Sequence, residues 1–347
     1  MSLPESIMSS LPFVSAIFII AAAVIAFYGI RMTHVARDIA MHTGMGDAVM
    51  GAVFIGASTS LSGITASITA ASVGYAPMAV SNSLGGIAAQ TLFLAFADIA
   101  YRRANLEHAA ATAENLMMTA FLLTLLSIHL VALSIPEIEI FSVHPASIIL
   151  IGAYLFGIYI LRRTHKMPMW YPRKTRDTKL EKEVSKRSGK KALTGLWVNF
   201  VKYSAIVAIA GWVLAQTGIH IVQYTGLSEG IVGGLFTAIS TSLPELVVAI
   251  TAVRMGALSL AVGDIVGGNA FDTLFIAFSD IAFREGSIYA SVTGVEAFWL
   301  GITILMTSIL MMGLLHRERH GFANIGLESL LLLIVYIFGL ATIVFFM

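Results

Sequence analysis

Glu245, Asp264 and Asp272 are three carboxylates inside a strongly apolar part of the chain. They belong to Ser240-Thr-Ser-Leu-Pro-Glu245 and to Gly263-Asp-Ile-Val-Gly-Gly-Asn-Ala-Phe-Asp272. Pro244 has no N–H, so a helix running through it leaves a carbonyl about one turn back without its donor. Ser240, Thr241 and Ser242 lie on that turn, and Asn269 precedes Asp272 in the second stretch. Hydroxyl, amide, carbonyl and carboxylate oxygens together make an all-oxygen donor set. Such a set suits Na⁺, Ca²⁺ or Mg²⁺ rather than soft metals. A carboxylate in this setting can also exchange a proton.

The same region occurs twice. Residues 58–102 align with 240–284 without a gap, and close to half of the aligned positions are identical. An internal repeat constrains the whole fold. The copies differ where the chemistry is: Gly63 aligns with Glu245, Ser62 with Pro244, Gln90 with Asp272, Asn82 with Asp264 and Ile87 with Asn269. The first copy keeps Thr59 and Ser60 but has no carboxylate at any of these positions. The implied site is one-sided, with charge from the second copy and neutral oxygens from the first.

The elements that position these residues follow from composition. Of 347 residues, 57% are hydrophobic and 12% charged, against roughly 25% charged in a soluble domain. This is the composition of an integral membrane protein. With no cysteine, disulfides, thiolate metal sites and cysteine nucleophiles are excluded. The start, Met-Ser-Leu-Pro-Glu-Ser, has no basic segment, so residues 11–33 read as a first span rather than a signal peptide.

Hydropathy predicts ten transmembrane helices, near 11–32, 46–72, 77–101, 115–134, 145–162, 194–217, 227–254, 258–282, 294–314 and 324–346. Spans 2–3 and 7–8 carry the repeat. Arg31, Arg37, Arg102, Arg103, Arg254, Arg317 and Arg319 fall in alternate loops, with twelve basic residues between Arg162 and Lys191. Arg284 alone breaks the pattern. The positive-inside rule then puts both termini outside the cell and the long basic loop in the cytoplasm. Ten spans form two sets of five, and an odd number per set inverts the second. The expected architecture is all-α and polytopic: a first five-helix repeat over 1–162, a basic loop over 163–193, and a second five-helix repeat over 194–347. Inverted repeats place a binding site near the bilayer midplane.

Other polar residues read as structural. Asp98 and Asp280 each precede an arginine by four residues (Arg102, Arg284), a spacing that allows a helical salt bridge. His129 reads as a packed histidine, Glu296 as facing the headgroups, and Trp170 with Tyr171 as an interfacial anchor. The loop over 163–193 reads as a topology-setting linker.

The second-copy motifs closely resemble the α-repeats of the cation/Ca²⁺ exchanger superfamily, whose pattern is approximately Gly-Thr-Ser-Leu-Pro-Glu followed by Gly-Ser-Asn and a polar residue three positions on. The resemblance extends to the ten spans, the outside termini and the central loop. It implies ion ligands at Glu245, Asp272, Thr241 and Ser242, and at their first-half counterparts Thr59, Ser60 and Gln90. Asn269 and Asp264 join this set from the residue reading above. It also implies alternating access, with spans 1 and 6 sliding past the rest. The chain departs from the pattern at Gly63, where the family has a glutamate, and at Gly-Gly-Asn269 and Gly-Gly-Ile87, where it has Gly-Ser-Asn.

The expected function is a secondary cation antiporter, moving Ca²⁺ or another divalent ion against Na⁺ or H⁺. A monovalent cation/H⁺ or Na⁺ exchanger and a non-transporting ion-binding membrane protein stay open as alternatives. No enzyme is expected: the chain has no His-Glu-x-x-His and no Gly-x-Ser-x-Gly. The expected partners are lipids and inorganic cations, with no cofactor and no nucleic acid. A cell inner (plasma) membrane is the simplest location. The oligomeric state stays open, with a monomer the simplest case.

Overall fold

The computed structural model describes residues 10–43, 48–101, 105–166, 173, 190–318 and 325–347. Regular structure there is helical, apart from an isolated bridge between Ile140 and Val143. The order is α1 (Leu11–Thr43), α2 (Ala48–Thr59), α3 (Leu61–Ser72), α4 (Ala76–Ala100), α5 (Leu106–Ala110), α6 (Ala113–Ser134), α7 (Pro145–Lys166) and α8 (Lys190–Thr225). Then follow α9 (Glu229–Ile231), a π-helical turn (Val232–Thr237), α10 (Ala238–Thr241), α11 (Leu243–Arg254), α12 (Leu258–Asp272) and α13 (Leu274–Ala282). A 3-10 turn (Ile288–Ser291), α14 (Gly294–His316) and α15 (Leu327–Phe346) complete the fold.

Among the described residues, eight segments are long and apolar enough to cross a membrane. A ninth is counted if the bent pair Glu229–Thr241 and Leu243–Arg254 is one span. The expected second span is instead two 12-residue helices, α2 and α3, meeting at Ser60. Ile19, Ile20, Phe345 and Phe346 stand exposed on the outer helices. In an integral membrane protein such faces meet acyl chains rather than water. The long basic segment lies mostly outside the described residues, as do Arg102, Trp170 and Tyr171.

Two spans form the centre. The most apolar windows of Ala76–Ala100 and Leu258–Ala282 are each 83% buried, against 28% for the first and last spans. Both are rich in Gly, Ala and Ser, which let neighbouring backbones come close. A Cβ on Gly56 of α2 would lie 3.3 Å from the Gly268 Cα on α12. The Gly267-Gly268 pair therefore serves close packing, and α12 runs unbroken through it to Asp272.

The breaks have local causes. Pro244 sits in the first turn of α11, where its missing N–H costs least, and Ser242 takes the corner at φ −93°, ψ 1°. The two pieces meet at 44°. In the first copy Ser60 takes a similar corner at φ −75°, ψ −1° without a proline.

Contacts recur at the spacing of the repeat. Gly29 of α1 closes on Pro244, and Gly211 of α8 closes on Ser62. Asp98 accepts the N–H of Leu106 at 2.7 Å and of Gly326 at 2.9 Å, the latter just before α15. Asp280 accepts the N–H of Ile288 and of His144, both at 2.7 Å, and the Ser147 hydroxyl at 2.6 Å, at the start of α7. For Asp280 this corrects the expected helical salt bridge, whereas Arg102, the partner expected for Asp98, lies outside the described residues. Asp280 satisfies backbone donors at a helix N-terminus, and Arg284 is exposed. Glu296 is also corrected. It is 1% exposed, closes a capping box with Thr293 and accepts the Ser81 hydroxyl at 2.9 Å. His129 is packed as expected, its Nδ1 2.8 Å from the Tyr289 hydroxyl.

Candidate ion-binding site

The corners at Ser60 and Ser242 face each other across α4 and the end of α12. A small chamber forms there, lined by Ser60, Gly63, Asn82, Gly86 and Gln90 from the first copy. Thr241, Ser242, Glu245, Asp272 and Phe275 line it from the second. Seven of these ten side chains end in oxygen or nitrogen, and none is basic.

Asp272 is the last residue of α12 and is 2% exposed. The Ser60 hydroxyl donates to its Oδ1, and the Gln90 amide donates to its Oδ2 at 2.6 Å. The Gln90 amide also reaches the Ser242 hydroxyl at 3.2 Å. Two first-copy side chains thus hold a second-copy carboxylate. Glu245 is 5% exposed, and its Oε2 is buried with no hydrogen-bond partner. An unpaired charge buried this way is costly, so the group calls for a proton or a cation. Gln90 Oε1 is also buried without a donor.

Six of the nine expected ligands line this chamber: Ser60, Gln90, Thr241, Ser242, Glu245 and Asp272. Three lie elsewhere. Thr59 donates its hydroxyl to the Gly56 carbonyl at 2.9 Å and lines an adjoining cavity, which Glu245 and Asp264 share. Asp264 meets Arg37 of α1 at 3.5 Å. Asn269 donates its amide to the Thr91 hydroxyl at 3.0 Å and is not among the residues lining the chamber. Thr241 lines the chamber, but its hydroxyl is held by the Thr237 carbonyl at 3.0 Å.

Sequence reasoning missed Phe275. A Cβ on Gly63 would fall 2.6 Å from its ring, so the ring fills the space that a side chain at 63 would need. The signal was available in principle: a glycine opposite a glutamate leaves a volume that a neighbour must fill. A larger apolar groove between α6 and α7, lined by Ile128, Val131, Ile138 and Ile149 among others, carries no carboxylate and is apart from this chemistry.

Comparison with known proteins follows the same lines. The profile described as "Sodium/calcium exchanger protein" matches residues 13–162 and 194–345. The putative antiporter CaxA of Alkalimonas amylolytica is 29% identical over 94 residues, which are 27% of this chain and 30% of CaxA. The sodium/calcium exchanger MaX1 of Methanosarcina acetivorans is 32% identical over 72 residues, 21% of each chain. The matched segments thus span less than a third of these curated relatives. In fold, the H⁺/Ca²⁺ exchanger CAX superposes with a TM-score of 0.65 at 13% identity, covering 95% of this chain and 85% of that one. The sodium-calcium exchanger NCX_Mj superposes with a TM-score of 0.61 at 16% identity, covering 96% of this chain and 99% of that one. With a family profile covering both halves and the shared fold, the chain belongs to the sodium/calcium exchanger protein family.

Proposed function

We propose that this chain is a secondary cation antiporter, carrying Ca²⁺ or another divalent cation against Na⁺ or H⁺. The observation that carries the reading is the pair Glu245 and Asp272, buried in one oxygen-lined chamber with no basic side chain. Two carboxylates match the charge of one divalent ion, and the hydroxyl and amide oxygens around them complete a hard coordination shell. Ten spans in two inverted sets of five, 1–162 and 194–347 about the loop 163–193, would place the chamber near the midplane. Alternating access would then expose it to each face in turn. Both termini would lie outside, in a cell inner membrane. No catalytic step, cofactor or nucleic acid enters this reading.

A second reading is monovalent exchange against H⁺ or Na⁺, and one observation favours it. Asp272 already accepts donors from Ser60 and Gln90, whereas Glu245 Oε2 accepts none. Glu245 Oε2 is then the carboxylate oxygen left open to a single monovalent ion or a proton.

Flux in reconstituted vesicles tests both. Na⁺, K⁺, Ca²⁺, Mg²⁺ and Mn²⁺ are each offered against imposed Na⁺ and proton gradients. Glu245→Gln is expected to abolish transport while the protein stays folded. Wild-type transport by that variant refutes the site. Absence of flux in the wild type under every gradient supports a non-transporting, ion-binding membrane protein instead.

A further inference from the structure

The deep chamber has a neighbour that the antiport reading does not use. A second cavity is lined by Gly56, Thr59, Glu245, Asp264 and the apolar Ile55, Val248, Ala249 and Ile265. Glu245 lines both cavities, so Asp264, Glu245 and Asp272 stand in series with Glu245 in the middle. Among the described residues lining the second cavity, Asp264 is the one carboxylate besides Glu245. A cation crossing so apolar a passage needs a countercharge, and Asp264 supplies it.

Asp264 already faces a positive charge. Arg37 Nη2 lies 3.5 Å from Asp264 Oδ2, across 227 residues of sequence. The contact is long, where a tight guanidinium–carboxylate bond is about 2.7–2.9 Å. The Arg37 side chain is 22% exposed, so water reaches the pair. Arg37 Nε is buried without an acceptor, which leaves this guanidinium held by less than its full complement of bonds. A contact of this length, open to water, is one that a competing cation can displace.

Its location gives the separation a consequence. Arg37 lies in the last two turns of α1, and Asp264 lies on α12. Gly29, about two turns earlier on α1, closes on Pro244 beside Glu245. One helix thus touches both the corner that presents Glu245 and the carboxylate at the outer cavity.

We infer that Asp264 is a peripheral station for a small metal cation, on the route between Glu245 and the membrane face that bears the end of α1. Arg37 is its tethered stand-in, and an arriving cation that displaces Arg37 frees α1 from α12. The inference rests on the antiport reading and adds to it a sidedness that the deep chamber alone does not have. Cation arrival at one face is coupled to release of α1, whereas the lining of the deep chamber itself carries no basic side chain among the described residues.

The test uses the full chain in vesicles, with Ca²⁺ and Na⁺ as probes, and measures apparent KM separately at each face. Arg37→Gln removes a competing charge worth about 0.2–1 kcal/mol for a partly exposed pair, so KM falls up to about fivefold at the Arg37 face alone. Asp264→Asn raises KM at that face and leaves the other unchanged. Arg37→Lys, which keeps the charge, stays near wild type and serves as the folding control. Equal changes at both faces, or no change in Arg37→Gln and Asp264→Asn, overturn the inference while leaving antiport intact. Wild-type vesicles that carry no cation overturn the antiport reading, and this inference with it.

Discussion

Gly63→Ala is a small substitution with a large expected effect. The new Cβ would stand 2.6 Å from Cε2 and 3.1 Å from Cζ of Phe275. Carbon atoms settle at about 3.5–4.0 Å, so ring and methyl must part by roughly 1 Å. Phe275 is 3% exposed and packed inside the protein, so its ring has little room to retreat. Overpacking of this kind costs about 1–3 kcal/mol. Phe275→Ala alone empties the same space, at about 3–5 kcal/mol. The double variant Gly63→Ala/Phe275→Ala should recover part of that loss, because the methyl occupies space that the ring vacated. The two changes should therefore couple by about 0.5–3 kcal/mol rather than add. Thermal unfolding of the four proteins in one detergent, followed by tryptophan fluorescence, closes the cycle. Strict additivity, or a Gly63→Ala protein as stable as wild type, refutes the claim that Phe275 occupies the missing side chain's place. The same logic extends to Gly63→Glu, which should be tolerated only with Phe275→Ala beside it.

Asp280→Ala strands the N–H groups of His144 and Ile288 and the Ser147 hydroxyl, so it should cost roughly 3 kcal/mol or more, read as a lowered melting temperature. A variant as stable as wild type contradicts the capping role. The short helix α5 should respond to pH. Burial, then the neighbouring Asp98 charge, pushes the Glu107 carboxyl from an ordinary 4.5 up to about 8. When α5 opens, Glu107 returns to its ordinary range, so the closed form binds the proton more tightly. Its stabilisation is complete below about 4.5 and is lost as pH rises through about 8. Amide exchange over residues 106–110, corrected for intrinsic rates, should quicken between pH 6 and pH 9 in wild type. It should lose that dependence in Glu107→Gln, and equal pH dependence in both proteins rules the mechanism out.

Much of the site was legible because its chemistry is local. A proline beside a glutamate inside an apolar run leaves few structural alternatives, and the repeat pointed to Ser60 and Gln90 as partners from the other copy. The all-helical membrane fold followed from charge scarcity and span length. What stayed hidden was set by contacts between distant residues. The Asp98–Arg102 and Asp280–Arg284 spacings suggested a local pair, while Asp280 finds its donors at His144 and Ser147, more than 130 residues away. Arg37 looked like a loop charge, although it reaches Asp264 across 227 residues. The corner at Ser60 has no proline to announce it. Phe275 was invisible among apolar neighbours because nothing in a phenylalanine marks it as lining a polar chamber. Asn269 misled for the opposite reason: its type suits a ligand, but its amide is spent on the Thr91 hydroxyl, a partner 178 residues away.

Equilibrium binding of radiolabelled Ca²⁺ and Na⁺ to the purified protein, beside Glu245→Gln and Asp272→Asn, addresses the central claim without any transport step. The two carboxylates in one chamber predict saturable binding of at least one of these ions to wild type and a loss of at least tenfold in affinity, about 1.4 kcal/mol, in each variant. Binding by both variants at wild-type affinity would place the cation somewhere other than the chamber between Glu245 and Asp272.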